Sequence, residues 1–401
     1  MRILLITPYF HPHKGGSQQY AEELYATLMQ QDKSIKVDVL TYNTDNSKSV
    51  EEYKGFTIYR VPCKQILPGQ FAIPNYVALT KLIQKLFAQN RYDFINSHTR
   101  FFETSWWTPF VASHYHTKSI LTDHCASHPN HKTKFVTGIS YLVDKFIAPF
   151  FINKYDYVTV TNKATQDFLF SLTQKKTDII YGGVNTTLFK PHTRKNKRKI
   201  LNIQKTFSNR DVVVSFVGRM IYSKGPDMLL KAAQKVTKKH KNVYFIFGGD
   251  GALYNTLSQS ANSHIFFTGA LDKDQVSKLF SQTDIVVHPS IHHEGFPNVI
   301  LEAGSSGCAV IATSMGGTYE IINPKTGILV KPTIKAIESK IELLIKNRTM
   351  RLRLGRNLRN WISQKYEWKK IAKTYKTFLS ESSQRKNLSF PSMRISGIPR
   401  N

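Results

Sequence analysis

Residues Val212–Gly225 read VVVSFVGRMIYSKG: a β-branched, apolar run that stops at a glycine and gives way to a loop holding Arg219, Lys224 and Gly225. An uninterrupted apolar run bounded by turn residues is what a strand buried on both faces of a parallel sheet requires. The same unit recurs downstream at Val243–Phe247, Ile265–Thr268, Ile285–His288 and Val310–Ala312, with helical segments between. Upstream it recurs at Ile3–Ile6, Val37–Thr41, Phe94–Ser97, Ile120–Thr122, Val158–Thr161 and Asp178–Ile180. Alternation of this kind predicts an α/β chain with doubly wound, Rossmann-like parallel sheets covered on both faces.

The period breaks once, at KPHTRKNKRK from Lys190, a basic stretch with no apolar repeat. A boundary there divides the chain into domains 1–190 and 191–366. Past Gly327 the chain reads as helical to about Leu379, and residues 381–401 have too few periodic apolar residues to pack, which predicts a disordered basic tail. Two such domains set the carboxyl ends of two parallel sheets across a cleft, where sheets of this kind bind ligands.

The 401 residues are 41% hydrophobic, enough for two cores. Cys63, Cys125 and Cys308 are scattered, with no metal-ligand spacing and no even count for a disulfide framework. The run Ile3–Ile6 is too short for a signal-peptide core, so a cytoplasmic location is expected. Phe135–Ile152 has near-spanning length but contains Gly138, Asp144, Lys145 and Pro149, and reads as a buried crossover helix, with a surface-lying membrane helix as the second reading. The net charge is +29, and residues 1–190, with 21 Lys/Arg against 14 Asp/Glu, hold only +7 of it. The C-terminal excess either faces solvent as lysine-rich helix faces or meets an extended anion, such as the inner face of a membrane.

Each candidate site residue falls on a loop after a predicted strand. Arg219 can bond phosphate oxygens bidentately and Lys224 supplies a point charge, while Gly218 and Gly225 allow close backbone approach. In HHEGFPNVILEAGSSG, Glu294 lies in a loop closed by Gly295, and Pro297 suits the first turn of the next helix. Glu302 lies within that helix, an acceptor suited to a ribose diol. Gly15-Gly16 opens the first helix, where backbone amides can cradle a phosphate. Asp123-His124 ends a strand of the first domain, where His124 can hold a sugar hydroxyl. Asp272-Lys273-Asp274 spells a metal-site string, but Asp272 and Gln275 fit a helix capping box. His288, His292 and His293 lack the spacing of a metal site. The aromatics of RFFETSWWTPF suit either an acceptor surface or core packing.

In combination these residues identify a resemblance. GRMIYSKG, FGGDGA at 247–252, FTGAL at 267–271, HPS at 288–290 and Glu294 to Glu302 occur in that order. With them stand Gly15-Gly16, YDFINSH ending at His98, Asp123-His124, GGVNTTLFKP, Gly316-Gly317-Thr318-Tyr319-Glu320 and YEWKKIAKTY. The chain resembles the retaining family 4 glycosyltransferases of GT-B fold. The resemblance implies that Arg219 and Lys224 hold a nucleotide-sugar diphosphate and that Glu302 holds the ribose. It implies that Glu294, Phe296, Pro297 and Asn298 line the donor-sugar pocket, that Gly16 meets the diphosphate from the other domain, and that His124 lies near the anomeric carbon. It further implies a terminal helix, 367–380, crossing back to the first domain. A glycan or lipid-linked hydroxyl is expected as acceptor, with no metal, no cofactor and no nucleic acid expected. Two positions depart from the family pattern: Gly182-Gly183 and Asn185 replace Asn-Gly and aspartate at the inter-domain turn, and Asn323–Thr326 lacks an Asp-Gly pair. A catalytically silent nucleotide-sugar-binding or scaffold protein, a polyanion-binding protein and a glycoside phosphorylase are the competing functions.

Overall fold

A computed structural model describes residues 1–13, 15–67, 71–128, 134–191, 197–201, 203–292 and 295–385. The first sheet has eight strands: Arg2–Ile6 (β1), Lys36–Tyr42 (β2), Val50–Tyr53 (β3), Phe56–Val61 (β4), Phe94–His98 (β5), Lys118–Asp123 (β6), Tyr157–Val160 (β7) and Asp178–Ile179 (β8). Their order is β8-β7-β6-β5-β1-β2-β4-β3, parallel except where β3 runs against β4. The second sheet has six parallel strands: Val212–Val217 (β9), Val243–Gly248 (β10), Ile265–Gly269 (β11), Ile285–His288 (β12), Ala309–Thr313 (β13) and Ile328–Val330 (β14). They lie in the order β11-β10-β9-β12-β13-β14.

The double burial read from the sequence follows from residue parity. Ile3 and Leu5 pack into one core while Leu4 and Ile6 pack into another on the opposite face of β1. Val212, Val214 and Phe216 likewise face one core and Val213 the other across β9. Helix α1 (Gly16–Gln31) and the terminal helix α2 (Trp368–Gln384) pack together over the first sheet, with the Tyr25 and Tyr375 hydroxyls 2.9 Å apart.

Several expectations are corrected. Ile180 packs in the first core, but Val184 and Phe189 pack in the second, so the change of domain falls at Tyr181–Gly183 rather than at residue 190. At this turn the two inter-domain connections are stitched together, Val184 N donating to Tyr366 O (2.8 Å) and Trp368 N to Val184 O (3.2 Å). A Cβ at Gly182 would lie 2.7 Å from the Phe296 ring and one at Gly183 2.6 Å from Trp368, so side chains are excluded there. Asn185 caps the turn itself, accepting from Thr187 N and Leu188 N, both at 3.1 Å.

Past Gly327 the chain adds strand β14 before turning helical, because Leu329 and Val330 continue the register beside Ala312 and Thr313. Helix α2 runs on through Gln384, so residues 381–384 are ordered: the Lys118 ammonium donates to the carbonyls of Ser382 and Arg385 (both 2.6 Å) and Ser383 (3.0 Å) at the helix end. The rest of the expected tail, from residue 386, lies outside the described residues. The Phe135–Ile152 stretch forms helix Lys134–Leu142, one π-helical turn Val143–Ile147 and helix Ala148–Ile152. It is buried on one side only: Asp144, Ala148, Phe151 and Ile152 face inward, and Leu142, Phe146 and Phe150 face out. In RFFETSWWTPF, Trp106 donates its indole N–H to Arg100 O (2.9 Å) and Trp107 packs on the core, so packing accounts for both tryptophans. Among the described residues no helix is long and apolar enough to cross a membrane.

Candidate functional site

Arg219 and Lys224 stand on a loop braced from two sides. Gly218 (φ 157°) and Gly249 (φ 128°) adopt backbone that side chains disfavour, and a Cβ at Gly249 would lie 2.0 Å from Gly218 O. The loops after β9 and β10 therefore meet backbone to backbone, with Met220 N donating to Asp250 O and Leu253 N to Met220 O, each 2.8 Å. On the other side Ile291 N donates to Ser223 O (2.9 Å), and a Cβ at Gly225 would lie 2.2 Å from Pro289 O. FGGDGA and HPS thus work as a mount that fixes where Arg219 and Lys224 leave the backbone. Arg219 is exposed and Lys224 half-buried at the carboxyl end of β9.

In the first domain, Gly16 opens α1, and a Cβ there would meet nothing within 4 Å. His124 follows β6, and its Nε2 lies 3.0 Å from His98 Nδ1. Burial lowers the pKa of His124 to about 4, against the opposing charge of Asp123, and drives His98 well below its ordinary value. Both rings are neutral at pH 7, so one of them donates its N–H and the other accepts across that contact, and His124 serves as a polar, uncharged partner. The loop carrying it is anchored by Arg100. All five of its N–H donors are used, on Asp123, on both oxygens of Asp144 (2.9 and 3.3 Å), and on the carbonyls of Cys125 (3.0 Å) and Ser127 (2.9 Å). Arg100, Asp123 and Asp144 are fully buried, and Asp144 also accepts from His128 Nδ1 (2.6 Å).

The two halves touch. A Cβ at Gly295 would lie 2.0 Å from His124 O, and one at Gly317 2.0 Å from Gly295 O. Asn162 donates its side-chain amide to Gly295 O, and Glu320 accepts from Lys163 N (2.8 Å) and Ala164 N (3.4 Å), capping the helix Lys163–Thr173 of the other domain. Lys273 pairs with Glu23 on α1 across the same cleft. Glu302 lies in the field of this pair. Burial raises its pKa to about 7, with Lys273 opposing and Glu23 adding to the rise. Gly295→Ala should therefore lower the activity of a site built from both domains about tenfold or more by holding them apart, with melting temperature within about 1 °C of wild type, because each domain keeps its own core. Parallel loss of melting temperature would show a folding defect instead.

The remaining candidates divide. Pro297 occupies the N-cap position of helix Asn298–Ser305, one residue ahead of the expected first turn, with no side-chain cap, and Ile300 N donates to its carbonyl (3.0 Å). The Phe296 ring turns to the inter-domain connection, 5.8 Å from Tyr181 and 5.4 Å from Tyr366, so its backbone rather than its ring is what remains for the cleft. Asn298 is half-buried beside Gly182. Glu294 and His293 lie outside the described residues. Asp272 forms the expected capping box with Gln275, and among the described residues no group of three His, Cys, Asp or Glu is placed to hold a metal. Arg100, Asn162 and Glu23 carried no signal in the sequence reading, and Asp144 and Lys273 entered it only in other roles. Glu320 was legible only as part of a motif string.

Residues 197–361 match the family model described as Glycosyl transferases group 1, and residues 14–188 the one described as Glycosyltransferase Family 4. An uncharacterised glycosyltransferase of Methanocaldococcus jannaschii is 27% identical over 390 residues, covering 94% of this chain and 97% of that protein. A human phosphatidylinositol N-acetylglucosaminyltransferase subunit is 24% identical over 380 residues, covering 92% of this chain and 74% of that one. The crystal structure of Anabaena HepE in complex with UDP and glucose superposes with a TM-score of 0.73 at 19% identity, covering 95% of this chain and 100% of that chain, and shares the fold.

Proposed function

The chain belongs to the glycosyl transferases group 1 family, and from that premise we propose that it moves a sugar from a nucleotide-diphosphate sugar to a hydroxyl of a glycan or lipid-linked acceptor, retaining the anomeric configuration and using no metal ion. The observation that carries this reading is the braced Arg219–Lys224 loop at the carboxyl end of one parallel sheet, in a cleft whose Gly295 backbone meets the His124 carbonyl of the other. That HepE was crystallised with UDP and glucose supports a nucleotide-sugar donor. The name of the human relative supports a lipid-linked acceptor.

In this reading Arg219 grips the diphosphate through two N–H groups and Lys224 neutralises the charge that grows on it as the anomeric C–O bond breaks. The amide end of α1 at Gly16 faces the same anion from the other domain. The acceptor oxygen bonds to the anomeric carbon on the face that the diphosphate leaves, and its proton passes to a diphosphate oxygen. Neutral His124 holds a sugar hydroxyl beside the reacting carbon, and Glu294 is assigned a contact with the same sugar. No side chain serves as nucleophile.

Glu302, holding the ribose diol, must be ionised to accept two hydrogen bonds. With its pKa near 7, donor binding below that pH has to displace a proton. Donor Kd should be flat above about pH 7 and rise toward about tenfold per pH unit below it. Glu302→Gln should bind weakly at every pH and show no such rise. Titration calorimetry from about pH 5.5 to about pH 8.5 spans that value and checks both, and a flat wild-type profile removes Glu302 from the ribose site.

A screen of UDP-, GDP- and ADP-sugars for binding and for hydrolysis tests the function itself. Turnover of one donor class is expected. Binding without turnover under any acceptor would favour the silent scaffold, and affinity only for polyanions, falling steeply with salt, would favour the polyanion binder.

A further inference from the structure

The Phe135–Ile152 segment carries on its outward face what its inward face hides. Between residues 141 and 150, Tyr141, Leu142, Phe146, Ile147 and Phe150 are exposed, Leu142 at 53%, Phe146 at 64% and Phe150 at 60%. Exposed Phe110, from helix Glu103–His114, extends the patch, its ring 6.1 Å from that of Phe150. Six large apolar side chains held in solvent on one helical face and its neighbour are not explained by folding, since each would be better covered.

Apart from one buried acid, the charges within this segment have one sign. Residues 134–154 contain Lys134, Lys145 and Lys154 and a single acid, Asp144, which is buried and committed to Arg100. The Lys145 ammonium stands 5.4 Å from the Phe146 ring centre and the Lys154 ammonium 5.8 Å from that of Phe150. Aromatic and aliphatic side chains projecting outward, with lysines lying along them, form the pattern of a surface that enters the headgroup and upper acyl region of a bilayer. A second copy is a poor occupant, because a two-fold interface would set these lysines against their own counterparts. An anionic lipid surface satisfies both the apolar side chains and the cations.

We propose that the Tyr141–Phe150 ridge docks on an anionic membrane surface. The inference goes beyond sugar transfer but bears on it: Asp144, on the opposite side of the same helix, holds Arg100 and through it the His124 loop, so the docked face lies about one helix diameter, on the order of 10 Å, from the network that fixes the cleft. If the transfer reading above is right, this geometry presents the cleft to an acceptor hydroxyl borne at the lipid surface.

The test is co-sedimentation of the full chain with vesicles of phosphatidylcholine alone or with about 30% phosphatidylglycerol, at low and high salt. Wild type should pellet with the anionic vesicles at low salt, and Phe146→Ser/Phe150→Ser should reduce the bound fraction about tenfold or more, since two buried aromatic anchors are lost. Lys145→Glu, which removes no apolar surface, should shift binding in the same direction. Melting temperature and donor hydrolysis of each variant, measured without vesicles, should match wild type, which separates loss of docking from loss of folding and from failure of the transfer reading. Wild type left in the supernatant at low salt, or a double variant that pellets like wild type, overturns the proposal. So does a lipid-free dimer that the double variant dissolves, since the ridge would then join copies of the chain.

Discussion

Lys224→Ala is expected to lower kcat/KM for sugar transfer by about 10²–10³-fold, with the thermal transition unchanged. The size follows from removing one preorganised cation that faces charge developing in the transition state. The stability forecast follows from placement. Lys224 ends a short 3-10 turn braced by backbone contacts with Pro289 and Ile291, and its side chain is half-exposed. Truncating a half-exposed side chain at a loop leaves no core cavity. The loss should fall mainly on kcat, because charge builds on the diphosphate as the glycosidic bond breaks and a ground-state donor feels less of it. Arg219→Lys should be nearly as damaging as Arg219→Ala, because a point charge cannot replace a planar two-pronged donor. The Arg219→Ala/Lys224→Ala double variant should lose less than the product of the two single losses, as groups acting on one leaving group are not additive. Unchanged turnover in Lys224→Ala would remove that residue from the site.

What the sequence disclosed of this arrangement was what is local. Strand β9 and its loop were legible because burial on both faces makes an apolar run without alternation, and β12 ended as read for the same reason. Asp272 was legible as a cap because its partner lies three residues on. Strands β3 and β4 were missed: Val50–Tyr53 carries two glutamates, and Phe56–Val61 alternates because one of its faces is only partly covered. At three residues, β14 was too short to leave a period. The outward face of Phe135–Ile152 was misjudged because hydrophobicity along a helix does not say which side is covered.

The site divides along the same line. Arg219, Lys224 and the glycines that mount them are contiguous, and the brace formed by Gly249, Asp250 and Pro289 matches motif strings in the sequence. The cross-domain contacts are not contiguous. Asn162 reaches Gly295 over 133 residues and Glu320 reaches Lys163 over 157, and neither residue type announces a latch. The environment of Glu302 depends on Glu23 and Lys273 meeting across the cleft, which a helix carboxylate read in isolation cannot reveal.

Arg100→Ala should destabilise the first domain by about 3–5 kcal/mol, the cost of breaking a buried ion pair by removing one partner. Two carboxylates, Asp123 and Asp144, would remain fully buried with their cation gone, and the carbonyls of Cys125 and Ser127 would lose their donor. Asp144→Asn, which keeps the shape and one acceptor oxygen, should cost less, and Arg100→Lys should fall between, since an ammonium has three donors for the five that Arg100 uses. Chemical unfolding followed by two probes checks this: Trp106 and Trp107 report on the first domain and Trp361 on the second. The expected result is a first-domain midpoint that falls while the second stays in place. Activity supplies the finer reading, because the network fixes the backbone from Asp123 to Ser127 and so the direction in which His124 points. At temperatures where Arg100→Lys is still folded, donor hydrolysis should already be lowered, with His124 mispositioned before the domain melts. A first-domain midpoint in Arg100→Ala equal to that of wild type would mean that water reaches the carboxylates and replaces the guanidinium, and the buried triad would lose its place as the anchor of the cleft.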